Sequence, residues 1–231
     1  MNNTAENNSK NSNDINENSK SLRKLSVVVS VYNEEKALRE FYKETNKILE
    51  QIRKSGWEHE LIFVNDGSAD NSLSILEELA KEDHDVKLIS FSRNFGHEAA
   101  MIAGIDHSTG DGIICMDADL QHPPECIPKI IEKFDAGYEV INMVRTKNES
   151  AGLIKNITSS GFYWLINHIS DVHFEPNASD FFAISRHVAQ VLKDNYREKV
   201  RFLRGYVQNV GFKKTNIEYE ARARVAGESK Y

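Results

Sequence analysis

Ile113-Ile114-Cys115-Met116-Asp117-Ala118-Asp119-Leu120-Gln121-His122-Pro123-Pro124-Glu125 is an apolar run that ends in two carboxylates one residue apart, then in a proline pair. The prolines stop a strand and pre-set φ for the first turn of a new helix. Asp117 and Asp119 therefore sit where a strand runs out into a loop. In an open α/β sheet that carboxyl end is where ligands bind. Two hard oxygen ligands with an open side suit Mg²⁺ or Mn²⁺ shared with the phosphates of a substrate. An Asp-x-Asp alone is common and is usually a solvated turn. Its weight here comes from the strand before it, from Gln121 and the prolines after it, and from the segments upstream.

Upstream, residues 25–31 (Leu-Ser-Val-Val-Val-Ser-Val) read as a buried strand by their β-branched content. Tyr32-Asn33-Glu34-Glu35 opens a helix whose apolar positions Leu38, Phe41, Ile48, Leu49 and Ile52 keep helical spacing, and Gly56 ends it. A second strand, 60–64, stops at the polar loop 65–72, which runs into a helix with Leu73, Leu76 and Leu79 inward. A third, 86–91, is followed by Ser92-Arg93-Asn94-Phe95-Gly96-His97-Glu98 and a small-residue helix to about His107. With 112–116 as the fourth, the order strand, polar loop, helix recurs four times before residue 135. That alternation predicts an α/β fold: a mostly parallel central sheet, helices on both faces, and the polar exit loops on one edge.

Downstream, 138–144 reads as a strand ending at Arg145. Residues 151–170 look helical and amphipathic, either a helix packed on the core or an interfacial one with Lys155, Tyr163 and Trp164 at a bilayer surface. After Asp180 come a short strand, a helix near 187–192, a basic segment with Arg197, Lys199, Arg201 and Arg204, and a strand over 209–218. Residues 1–22 form an Asn/Ser-rich tail with too few apolar side chains to offset its ordering entropy, and are expected to be disordered. Residues 23–231 are expected to form one domain, its C-terminal part facing the acceptor or a membrane.

The charge is uneven. From Arg145 onward there are 14 Lys and Arg against 9 Asp and Glu, a net of +5, which leaves −11 of the chain's −6 for the first 144 residues. An acidic first part suits a metal site; a basic second part suits an anionic ligand or membrane face. Nothing points to nucleic acid. Cys115 and Cys126 form no Cys-x-x-Cys, which favours a reducing, cytoplasmic setting. No apolar run approaches membrane-spanning length, so the chain is expected to be soluble or peripheral. No Gly-x-Gly-x-x-Gly follows the first strand, which argues against a dinucleotide oxidoreductase; His97-Glu98 starts like a zinc-protease motif, but Met101 replaces the second His.

Val31-Tyr32-Asn33-Glu34-Glu35, Val64-Asn65-Asp66-Gly67-Ser68, Ser92-Arg93-Asn94-Phe95-Gly96 and Asp117-Ala118-Asp119-Leu120-Gln121-His122-Pro123-Pro124-Glu125 stand together in one order and spacing. In these the chain resembles family-2 glycosyltransferases of the Rossmann-like GT-A fold, most of all the polyprenyl-phosphate (bactoprenol and dolichol-phosphate) glycosyltransferases. The resemblance implies a nucleotide-sugar donor, UDP-linked before GDP-linked, with base and ribose held by Val31, Tyr32, Glu34 and Asp66. Asn94, Gly96 and His97 would border the nucleotide, and Asp117, Asp119 and Gln121 would reach Mg²⁺ or Mn²⁺ on the diphosphate. It implies a polyprenyl-phosphate acceptor held by Arg145, Lys155 and Ser159, with Arg224, Ser229 and Lys230 closing over donor or acceptor, and Arg201 and Arg204 as further cations. Two departures stand out. Phe182 occupies a place where many relatives carry Arg, and relatives continue past Ser229-Lys230-Tyr231 into membrane helices.

The expected chemistry is attack on the anomeric carbon with inversion, the metal stabilising the departing nucleoside diphosphate. A phosphate acceptor, with a second pKa of about 6, is already anionic near neutral pH and needs positioning rather than a strong base. A sugar-hydroxyl acceptor, as on a polysaccharide, would need a base, for which Asp180 is the first candidate; its plainer role is a cap or turn. A copy that binds nucleotide without turnover is the reading from a different class. The expected place of action is the inner face of the cell membrane, directly or through a separate membrane subunit, as a monomer or a homo-oligomer, in cell-envelope glycan synthesis.

Overall fold

A strand without a polar face is stable only inside a sheet covered on both sides. The first strand, β1 (Arg23–Val31), is buried from Leu25 to Val31 and takes that central position. The computed structural model describes residues 23–146, 178–196 and 202–222. Beside β1 lie β2 (Trp57–Asn65), β3 (Val86–Ser90), β4 (Gly112–Asp117), β5 (Val140–Arg145), β6 (Ala178–Ser185) and β7 (Lys214–Tyr219). They form one seven-stranded sheet in the order β3-β2-β1-β4-β6-β5-β7. All pairings are parallel except those of β6, which runs against both β4 and β5.

Successive side chains of a strand point to opposite faces, and each face has its own helix layer. Val27, Val29, Phe63, Ile114 and Met116 pack with α1 (Leu38–Arg53), α2 (Ser72–Glu82) and α4 (Ile127–Asp135). Val28, Ile62, Val64, Ile113 and Cys115 pack with α3 (His97–His107), α5 (Arg186–Asn195) and α6 (Leu203–Asn209). A single 3₁₀ turn, Pro124–Cys126, leads into α4 as the proline pair predicts.

The amino ends of the strands are fastened by a buried charge. Glu60 is 1% exposed. Its carboxylate accepts from Ser26 Oγ (2.5 Å), Lys87 Nζ (2.5 Å), the Thr109 N–H (2.7 Å) and Thr109 Oγ1 (3.0 Å). Lys24 Nζ lies 3.1 Å away. One carboxylate thus ties β1, β2, β3 and the turn before β4.

The carboxyl ends make the site. From β1 the chain steps outward through α1 to β2 and through α2 to β3. It then returns across the sheet through α3 to β4, on the other side of β1. β1 and β4 are therefore the neighbours at which strand order reverses, with Ser30 paired to Asp117. A crevice beyond those two strand ends is the expected ligand position in such a sheet.

Three boundaries differ from the sequence reading. α1 starts at Leu38, not at Tyr32, because residues 33–37 form a loop with Asn33 in the left-handed region (φ +55°). β7 begins at Lys214, since Asn209 still belongs to α6, a helix that the basic spacing of 197–204 does not announce. The strand expected after Asp180 begins at Ala178 and so contains Asp180, and it is antiparallel. The tail 1–22 and the amphipathic segment 151–170 lie outside the described residues. Among the described residues no helix is long and apolar enough to cross a membrane.

Candidate functional site

Three exit loops are bound to one another. Asn33 accepts from the Ala69 N–H (2.7 Å) and donates its own N–H to Ser68 Oγ (2.9 Å). Glu34 N–H donates to Ser72 Oγ (2.8 Å). Asp66 Oδ1 accepts from the Phe95 N–H (2.7 Å) and Oδ2 from the Gly96 N–H (3.0 Å). Gly67 (φ +65°) lies against the backbone of Arg93 and Asn94, where a Cβ would overlap it. Arg93 stacks on the exposed Phe95 ring at 4.0 Å.

Of the residues expected to face a nucleotide, Tyr32, Glu34, Asn94, Gly96 and His97 are partly exposed. Val31 and Asp66 are fully buried. Val31 turns its side chain into the core, its carbonyl accepting the Asp66 N–H at 2.8 Å. These two support the loops from beneath.

Asp117 and Asp119 stand at the end of β4 as expected. The loop turns sharply through Leu120, buried and held at φ +62°. A left-handed conformation at a non-glycine residue costs on the order of 1 kcal/mol and is kept where the surroundings impose it. The turn lets the Gln121 N–H donate to Asp119 Oδ1 (3.0 Å) and brings His122 back beneath Asp117, whose N–H donates to His122 Nδ1 at 3.0 Å. His122 is buried between Phe181 (stacked, centroids 5.0 Å apart) and Tyr219 (edge-on, 6.1 Å). On the outer side His97 Nε2 meets Asp117 Oδ1 at 2.7 Å. Burial pulls the His97 pKa down, but the hydrogen bond and charge of Asp117, with Asp180 and Glu98, outweigh it, and the pKa stands above its ordinary value. Asp117 and Asp119 put carboxylate oxygens at the switch point, a hard donor type that fits Mg²⁺ or Mn²⁺ on a diphosphate.

The reversed direction of β6 brings its first residues to the same edge. Asp180 pairs with Arg204 at 2.9 Å. Glu98 accepts the Leu203 N–H at 3.1 Å, fastening α6 to α3, and its pKa is raised by burial. Phe182 is buried in the second core among Cys115, Ile184 and Val188, beneath the sheet's edge rather than in the crevice. Arg145 is exposed at the end of β5. Beside it the Thr146 N–H donates to the Tyr219 carbonyl at 2.9 Å. Arg222 forks between Glu44 and Glu125, both at 2.5 Å, pinning the chain after β7 beside the proline turn. Lys155, Ser159, Arg201, Arg224, Ser229 and Lys230 lie outside the described residues. His122 and the Asp180–Arg204 pair were legible only in part: both residues of the pair and the motif holding His122 stand out, but their contacts arise from strand order.

A second group, Glu50, His59 and Asp85, has ligand atoms within 4.8 Å of one another. It lies at the amino ends of β2 and β3, away from Asp117, and the Arg53 guanidinium already bonds Asp85 and sits 3.3 Å from His59. A cation placed there would have to displace that guanidinium.

Residues 26–192 match the family Glycosyl transferase family 2. The chain is 44% identical over 206 residues to "Uncharacterized glycosyltransferase YkcC" of Bacillus subtilis, covering 89% of this chain and 62% of that protein. It is 42% identical over 208 residues to the "Prophage bactoprenol glucosyl transferase homolog" of Escherichia coli, covering 90% and 67%. It thus spans roughly two thirds of the length of these curated relatives. In fold it is similar to glucosyl-3-phosphoglycerate synthase from Mycobacterium tuberculosis, solved with Mn²⁺, UDP and phosphoglyceric acid, with a TM-score of 0.57 at 16% identity over 89% of this chain and 72% of that one. Its switch-point crevice has the placement the GT-A expectation requires, and the match from β1 into α5, at such identity to glycosyltransferases, makes this chain a member of glycosyl transferase family 2.

Proposed function

We propose that the chain transfers a sugar from a nucleotide sugar, UDP-linked in the first instance, to polyprenyl phosphate at the inner face of the membrane, with inversion and with Mg²⁺ or Mn²⁺. The carrying observation is the pair Asp117 and Asp119 at the reversal of strand order, with nucleotide-side loops on one flank and Arg145 on the other. The name of the Escherichia coli relative supports the lipid acceptor, and the Mn²⁺ and UDP of the Mycobacterium tuberculosis structure support the donor and ion.

In this reading Tyr32, Glu34 and the 94–97 loop hold the nucleoside over β1 and β2. Asp117, Asp119 and Gln121 would hold the cation, which neutralises charge on the departing diphosphate when bound. Arg145 orients the lipid phosphate from the β5 side. A phosphate oxygen attacks the anomeric carbon from the face opposite the leaving oxygen. One C–O bond forms, the other breaks, and the nucleoside diphosphate leaves. The attacking oxygen carries its negative charge already, so no proton has to be removed. The ion pair of Asp180 with Arg204 accords with a part for Asp180 other than proton removal.

The test is a transfer assay with purified protein, Mn²⁺ or Mg²⁺ and short-chain polyprenyl phosphate in detergent, against UDP- and GDP-sugars, with lipid products read by mass spectrometry. The expected product is a polyprenyl-phosphate monosaccharide that disappears on chelation. Donor binding without lipid product, together with transfer to a hydroxyl acceptor, would overturn the assignment.

A further inference from the structure

We infer that His122 is the positioning residue for the Asp117 carboxylate, holding the Asp117 backbone through its Nδ1 while an aromatic box of Phe181 and Tyr219 holds the imidazole. The inference rests on the reading of Asp117 as a cation ligand. Its own observations are geometric.

Strand pairing between β4 and β6 ends at Cys115 and Phe182, two residues short of Asp117. Beyond that point β4 is paired only to β1, where Ser30 opposes Asp117. The Asp117 N–H is taken by His122 Nδ1 at 3.0 Å. The imidazole nitrogen facing that N–H serves as its acceptor. The ring cannot swing, because Phe181 stacks on it with an interplanar angle of 21° and Tyr219 closes the edge at 79°. Phe181 and Tyr219 also meet edge to face, with centroids 5.4 Å apart.

The box spans three loop ends. Phe181 follows Asp180 on β6. The Tyr219 carbonyl accepts both the N–H and the Oγ1 of Thr146, next to Arg145. His122 sits at their centre and reports to Asp117. Packed rings and one hydrogen bond thus connect the strand ends that carry Arg145 and Asp180 to the Asp117 backbone.

Two substitutions separate the ring from its nitrogen. His122→Phe keeps a stacked ring and removes the acceptor. His122→Asn removes the ring and keeps an acceptor, since Asn Oδ1 branches from Cγ as Nδ1 does. The measurement is Mn²⁺ affinity in the presence of UDP, by electron paramagnetic resonance of the free ion, beside thermal melting of the same samples. His122→Phe is expected to weaken Mn²⁺ binding roughly ten- to a hundredfold, the usual consequence of losing a group that orients a metal ligand. His122→Asn is expected to stay within about threefold of wild type while melting lower than His122→Phe, because it opens a cavity.

A residue that merely fills space predicts the reverse order, with affinity following melting temperature, and that order would overturn the inference. Equal affinity in all three proteins would overturn it too. Wild type that binds UDP with no dependence on Mn²⁺ would instead remove the cation reading of Asp117, and this inference with it.

Discussion

Replacing Glu60 by Gln tests whether the amino edge of the sheet is fastened by charge. The carboxylate is buried, which by itself raises its pKa, but Lys87, Ser26, the Thr109 N–H and Lys24 outweigh burial and hold it at about 2, against 4.5 in its absence. That displacement corresponds to about 3 kcal/mol of stability at neutral pH. Lys87 is half exposed, so solvent screening reduces the figure to about 2 kcal/mol. The sign follows from the depressed pKa. The stabilisation is complete above about pH 4.5, falls progressively below it, and is gone once the folded protein itself takes the proton near pH 2. Gln keeps an acceptor for Ser26 and Thr109, but it turns an N–H₂ toward two ammonium groups. The assay is urea unfolding of both proteins from pH 7 to pH 2.5, with midpoints compared at equal slope. The expected result is a gap of about 2 kcal/mol at pH 7, or roughly 4–8 °C in melting temperature, that shrinks as the pH drops. A gap that is constant with pH, or below about 0.5 kcal/mol at pH 7, would refute the reasoning.

Three further substitutions address the other edge. With a lipid-phosphate acceptor, Arg145→Ala should lower transfer by at least about tenfold, whereas Asp180→Asn should retain most of it; the opposite order in the same assay would point to a hydroxyl acceptor and a basic role for Asp180. Gly67→Ala should cost about 2 kcal/mol or more, because a left-handed backbone and the neighbouring Arg93 backbone both exclude a Cβ; a urea midpoint equal to wild type would contradict that packing.

The loops of the proposed nucleotide half are legible because they are local. Each of its motifs is a contiguous loop after a strand, and period-two and period-3.6 patterns locate those strands and helices without knowledge of the fold. Even there the pattern misplaced the start of α1. Tyr32-Asn33-Glu34-Glu35 is rich in helix-compatible residues, but the left-handed Asn33 and the bonds to Ser68, Ser72 and Ala69 draw it into the loop network. Likewise the burial of Asp66, which the resemblance assigns to the base or ribose, is not visible in its loop sequence, since a buried aspartate is rare. Two backbone N–H groups from thirty residues away satisfy it, and only the folded chain supplies them.

The proposed acceptor half is less legible because none of it is contiguous. Arg145, Asp180, Arg204 and Tyr219 come from two strand ends, a reversed strand and a short helix. Run parallel, β6 would deliver Asp180 to the Glu60 edge and place Ser185 beside Asp117. Run antiparallel, it delivers Asp180 to the crevice and Ser185 to the amino edge, where Ser185 pairs with Gly112. The direction of one strand thus decides whether Asp180 reaches the crevice at all. The same reversal seats Phe181 on His122 and Phe182 in the opposite core, so the two phenylalanines, indistinguishable by composition, take different parts. Phe181 supports the acidic pair. Phe182 fills the layer beneath Asp180, where an arginine would be a buried charge in need of a partner. Placing Arg at 182 is therefore a stability question before it is a question of catalysis.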